Sequence, residues 1–89
     1  MEEFKGTKGR WVYSAETGTI RGNGGLLAEL LINGSEDDNG ALMAAAPELL
    51  EALQLTEKAM AEGRNVTYPE WYGVINKARA AIHKALGKE

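Results

Sequence analysis

The stretch NGALMAAAPELLEAL, residues 39–53, decides how the second half of this 89-residue chain folds. Its alanine, leucine and methionine residues favour helix. Pro47 interrupts that helix, because the residue before a proline avoids the helical region, whereas proline itself suits a first helical turn. We therefore expect a short helix over about residues 38–45 and a longer one from Pro47 to about Glu62.

A further helix is predicted after residue 67. Thr67 and Glu70 are spaced as a capping box, in which the hydroxyl and the carboxylate each satisfy a backbone amide at the helix start. Trp71, Ile75 and Ile82 then recur at helical spacing. This helix should run to about residue 87 and pack antiparallel to the one before it.

The first third of the chain has strand character. Residues 10–14 (RWVYS) and 19–21 (TIR) are rich in β-branched and aromatic types and flank a turn that ends in Gly18, which predicts a hairpin. Residues 26–32 (LLAELLI) are ambiguous. Their leucines fit a helical face, but the run is short and is bounded by Gly-Gly and Asn-Gly, so we predict a third strand.

These elements predict a single α+β domain over residues 1–89. It should hold a small antiparallel sheet of about three strands, followed by a short helix and two longer antiparallel helices. Residues 1–9 form a flexible arm, 10–32 the β part and 38–87 the helical part. The large apolar side chains expected in the core are Trp11, Ile20, Leu30, Leu50, Leu53, Met60, Trp71, Ile75 and Ile82.

The net charge of −3 is unevenly distributed along the chain. Residues 26–62 carry eight acidic side chains and one lysine, whereas residues 63–89 carry five basic and two acidic side chains. The acidic middle either pairs internally with the basic last helix or forms a binding face, and the sequence leaves both interpretations open.

Few residues in the chain could carry chemistry. There is no cysteine, and His83 is the only histidine, so thiol catalysis and a zinc motif are excluded. The acids at 37 and 38 lack the glycine and glutamate spacing of a calcium loop. We expect a protein without enzymatic activity, metal or cofactor. No segment approaches the roughly 18 apolar residues of a membrane span, and the N-terminus lacks the apolar core of a secretory signal, so we expect a cytoplasmic protein.

The AAAPELLEAL segment, residues 44–53, resembles one found in many short proteins of tailed bacteriophages and prophages, where it typically has the form NARLIAAAPELLEAL. The ending KARAAIHKALGK, residues 77–88, is similar to the usual ending of those proteins, and Gly40 stands where they usually have alanine or a longer residue. The resemblance implies a phage or prophage accessory gene and transfers no catalytic residue. Such proteins often act on the host, either by binding a defence enzyme or by sequestering a nucleotide signal.

Three functions are compatible with this background. The first is a non-enzymatic anti-defence factor that binds and inhibits a host protein through Glu36, Asp37 and Asp38. The second is an oligomeric sponge for a small nucleotide, and the third is a phage DNA-associated or structural protein, against which the net acidic charge argues. The small core favours a homodimer or larger homo-oligomer. The nucleotide pocket would lie across a subunit interface and would use Arg10, Arg21, Arg64, Tyr68 and Trp71.

Overall fold

A computed structural model describes residues 3–62 and 67–88. Within them, three strands precede three helices: β1 (Trp11–Ser14), β2 (Thr19–Gly22), β3 (Gly25–Glu29), α1 (Glu36–Ala44), α2 (Ala46–Glu62) and α3 (Tyr68–Ala85). The predicted α+β class is confirmed, and the ambiguous leucine-rich segment supplies a strand.

The sheet is antiparallel with the order β1-β2-β3. Asn23 and Gly24 connect β2 to β3 with positive φ angles of 49° and 79°, as expected for a two-residue hairpin turn that matches strand twist. The longer turn between β1 and β2 is closed by Gly18, whose N–H donates to the carbonyl of Ser14 at 2.8 Å. Local turn chemistry therefore sets both hairpins.

Strand β3 ends earlier than the predicted residue 32. Its last residue, Glu29, pairs with Thr19, the first residue of β2. The N–H of Leu30 still donates to the carbonyl of Gly18 at 2.8 Å, but no strand residue lies opposite Leu31 and Ile32. These two side chains are 87% and 91% exposed.

The junction between α1 and α2 is a bend and not a loop. α1 ends at Ala44 and α2 begins at Ala46, close to the predicted positions. Ala45, which is fully buried, donates to the carbonyl of Ala41 at 3.1 Å and accepts from Leu49 at 2.9 Å. The missing N–H of Pro47 removes one helical hydrogen bond and accounts for the change of direction.

Helix α1 lies between the sheet and α3, while α2 and α3 pack together as an antiparallel hairpin. Gly40 allows β1 to approach α1 closely: a Cβ atom at this position would lie 2.4 Å from Cδ1 of Tyr13. At the start of α3, the Thr67 hydroxyl accepts from the N–H of Glu70 at 3.4 Å. That hydrogen bond is the hydroxyl half of the predicted capping box.

The core differs from the predicted one. Ile20 is 1% exposed, as predicted, but the other buried apolar residues in the described part of the chain are alanines: Ala44, Ala45, Ala52, Ala59 and Ala81. The prediction was wrong for four large side chains, which are exposed: Leu53, Met60, Ile75 and Ile82. The reason is that α2 and α3 meet through their alanine faces, which allow close approach, so the larger apolar faces turn away from the helix contact.

Candidate functional site

The three acids predicted to contact a partner form the first turn of α1. The Glu36 carboxylate accepts from the N–H of Gly34 at 2.7 Å and of Asn33 at 3.2 Å. Hydrogen bonds from its own amide and then from that of Asn33 lower the pKa of Glu36 below its usual value. Asp37 accepts from the Tyr13 hydroxyl at 2.8 Å, and Asp38 is exposed. Two of the three carboxylates therefore organise the loop and the β1–α1 contact.

The bond between Tyr13 and Asp37 joins the sheet to the acidic turn. Donation to the carboxylate raises the pKa of Tyr13 above its ordinary value, and partial burial and the nearby negative charges act in the same direction.

An apolar groove lies beside the acidic turn. It has a volume of about 410 Å³ and is lined by Leu30, Leu31, Asn33, Asn39, Leu42 and Met43. Leu42 and Met43 on α1 are exposed, as are Leu31 and the adjacent Ile32. We call the apolar side chains Leu30, Leu31, Leu42 and Met43 the α1 groove. The sequence did not predict this groove, because residues 30–32 were assigned to a strand. The feature that could have indicated it is the apolar run that ends directly at Asn33-Gly34.

The described residues of the predicted nucleotide pocket lie in different parts of one protomer. Arg10 lines a cavity with Glu48, Lys77 and Lys84, whereas Trp71 lies in the first turn of α3. Lys77, the cavity residue nearest to Trp71 along α3, follows it by six residues, about 9 Å along the helix axis. Trp71 is not among the residues that line this cavity.

The remaining described members of the predicted pocket are not among the residues that line the Arg10 cavity. Arg21 is exposed on β2, and Arg64 lies outside the described residues. Tyr68 packs edge to face on Tyr72, with ring centroids 4.9 Å apart. A pocket shared between two subunits stays a prediction.

Among residues 3–62 and 67–88, the acidic middle and the basic last helix form two ion pairs. Lys77 lies 2.8 Å from Glu51, and Lys84 lies 2.7 Å from Glu48. The Lys84 side chain is only 9% exposed and also donates to the carbonyl of Trp11 at 3.4 Å. For these four residues the internal-pairing interpretation is correct, and the second Glu48 oxygen is buried without a hydrogen-bond partner among the described residues.

The described residues also bear on two other classes of site. In residues 3–62 and 67–88, no group of three or more histidine or carboxylate side chains is placed to hold a metal ion. Over the same part of the chain, no helix has the length and apolar character that crossing a bilayer requires.

Comparison with known proteins identifies a family. The family model described as Salmonella phage P22 protein Y8K6 matches residues 1–89, the whole chain. No curated protein and no solved structure shows significant similarity. The expected phage origin is confirmed, while the narrower resemblance of the AAAPELLEAL segment stays a prediction. Because the match spans the full length, the chain belongs to the family of Salmonella phage P22 protein Y8K6.

Proposed function

We propose that this phage protein is a non-enzymatic accessory protein that binds and inhibits a host protein as an anti-defence factor. The observation that carries the proposal is the α1 groove beside an acidic turn. Leu31, which lines the groove, and the adjacent Ile32 are almost fully exposed. Burying one large apolar side chain contributes about 1.5–3 kcal/mol, which is not gained while the side chain stays in water. A partner that covers these side chains recovers that free energy.

The chemistry of the rim restricts the partner. Asp38 is exposed next to Asn39, which lines the groove. Carboxylates repel phosphate groups, so the surface disfavours nucleic acid. It fits a protein segment with apolar side chains that enter the groove and with lysine or arginine beside them, since charged rims steer association and interface centres are apolar.

The test uses matched charge insertions. The immobilised full-length chain is incubated with host lysate, and captured proteins are quantified for the wild type, Ile32→Glu and Leu53→Glu. Ile32 is exposed and directly follows Leu31, which lines the groove, whereas Leu53 is an exposed apolar residue on α2. We expect at least one host protein to be captured by the wild type and Leu53→Glu and lost with Ile32→Glu.

A purified partner allows a quantitative second step. Leu42→Ala should weaken binding at least tenfold if Leu42 enters the interface centre. Asp38→Lys should slow association and reduce its salt dependence, because it reverses the charge at the rim. Inhibition is then measured as lost activity of that partner. Capture that is equal for all three chains, or absent for all three, would overturn the proposal.

Native mass spectrometry of the purified protein separates this function from the nucleotide alternative. An added mass of a few hundred daltons that remains bound would favour a nucleotide sponge. Protomers without added mass, together with capture that depends on the groove, would favour host-protein binding.

A further inference from the structure

Helix α2 has a second apolar face besides the one that contacts α3. Leu49, Leu53, Thr56 and Met60 follow each other at intervals of four, three and four residues. Leu53 and Met60 are 67% and 69% exposed. This spacing is that of a coiled-coil seam, whose knobs insert between residues of a facing helix.

Helix α3 repeats the same pattern. Trp71, Ile75, Ala78 and Ile82 are also spaced by four, three and four residues, and Ile75 and Ile82 are exposed. None of the eight residues on the two seams carries a charge. We call these two seams together the hairpin face.

The two seams lie on the same side of the α2–α3 junction. On α2, Glu51 precedes the buried Ala52 and Leu53 follows it. Because successive helical residues are about 100° apart, Glu51 and Leu53 lie on opposite sides of the contact with α3. On α3, Ala80 and Ile82 flank the buried Ala81 in the same way.

The charged residues identify the other side of the junction. Glu51 and Ala80 line one cavity, on the side where Lys77 bonds to Glu51. Leu53 and Ile82 therefore both face away from that cavity. The Glu51–Lys77 ion pair occupies one side of the hairpin, and the hairpin face occupies the other.

The protomer exposes more surface than a compact monomer of its mass, which leaves room for an interface. The chain exposes 6583 Å², whereas a folded monomer of 9.6 kDa is expected to expose about 5,100 Å². This excess of exposed area is larger than the roughly 800 Å² that each partner buries in a standard interface. The radius of gyration, 15.0 Å, is likewise larger than the roughly 12 Å expected for this length.

We propose that the hairpin face binds a second copy of this chain and forms a two-fold symmetric four-helix bundle. A two-fold axis brings the same surface of both copies together, so the surface must complement itself. Two uncharged seams of equal spacing on antiparallel helices meet that requirement, because knobs-into-holes packing of four helices uses this repeat. A host protein would have to supply the same pattern, whereas a second copy always carries it.

Analytical ultracentrifugation over a wide concentration range tests the proposal. The wild type should sediment with the mass of two 9.6 kDa chains. Leu53→Glu and Ile82→Glu should each sediment as monomers, because a dimer would bury two unpaired carboxylates. Ile32→Glu, the matched control at an exposed apolar residue outside the hairpin face, should remain dimeric.

Far-ultraviolet circular dichroism shows whether each variant still folds. If a glutamate variant loses its helices, Leu53→Ala replaces it, because alanine favours helix while truncating the seam. It should raise the dimer dissociation constant at least about tenfold, since each dimer carries the change twice. A wild type that is monomeric at every concentration, or a folded Leu53→Glu or Leu53→Ala that dimerises like the wild type, would overturn the proposal.

The two surfaces share no residue, so the two proposals can fail separately. Ile32→Glu should lose host capture and keep the dimer, whereas Leu53→Glu should lose the dimer and keep host capture.

Discussion

Replacing Gly40 with alanine should destabilise the protein, although alanine normally stabilises a helix. Gly40 is in the middle of α1, where replacing glycine with alanine normally stabilises the helix by about 1 kcal/mol. The added Cβ would lie 2.4 Å from Cδ1 and 2.5 Å from Cγ of Tyr13. These atoms belong to the inner part of the side chain, so the ring cannot move aside unless β1 or the Tyr13 hydroxyl also moves.

The expected net cost follows from three contributions. Overpacking a fitted contact costs about 1–3 kcal/mol. Displacing the ring also removes the Tyr13–Asp37 hydrogen bond, which contributes about 1 kcal/mol. After subtraction of the gain in helix propensity, Gly40→Ala should lower the free energy of unfolding by about 1–3 kcal/mol.

A double-mutant cycle with Tyr13→Ala tests this reasoning. Without the ring, the new Cβ loses its clash, so Gly40→Ala should become stabilising by about 1 kcal/mol. Urea unfolding at one fixed protein concentration, followed by circular dichroism, measures all four chains. The explanation would be refuted if Gly40→Ala had the same effect with and without the tyrosine ring.

Three further outcomes follow from single contacts. Lys84→Met should lower the free energy of unfolding in urea by about 2 kcal/mol, because it leaves the partly exposed Glu48 carboxylate without its cation. Adding Glu48→Gln should recover part of this loss, and no recovery would argue against the pairing. Thr67→Ala should lower the stability by about 1 kcal/mol because the N-cap is lost, whereas Thr67→Ser should stay near wild type. Equal losses of stability for both variants would exclude capping as the cause. The folded pKa of Tyr13 lies above the ordinary 10.0, so the stability from its bond to Asp37 is present below pH 10 and is lost as the pH rises through the folded pKa. Asp37→Asn should return the Tyr13 pKa toward 10 in a tyrosine-resolved NMR titration, and an unchanged value would contradict the assignment.

The acidic turn shows how far site prediction from sequence could go. The clustered acids at 36–38 were visible in the sequence, but their roles were not. Only the fold places Tyr13, which is 24 residues away, against Asp37. Likewise, the exposure of Leu31 and Ile32 depends on where β2 begins, a long-range pairing that no local pattern specifies.

Local sequence determined most of the secondary structure. The Asn23-Gly24 turn, the bend at Pro47 and the Thr67 cap act through contacts within a few residues, so propensity and capping rules were sufficient to locate them. Tertiary structure decided which faces of the helices are buried. Both α2 and α3 carry an alanine face and a larger apolar face, and periodicity alone could not choose between them. The alanine faces are the ones that meet, because small side chains let the two helix backbones approach closely, and the large side chains are left exposed.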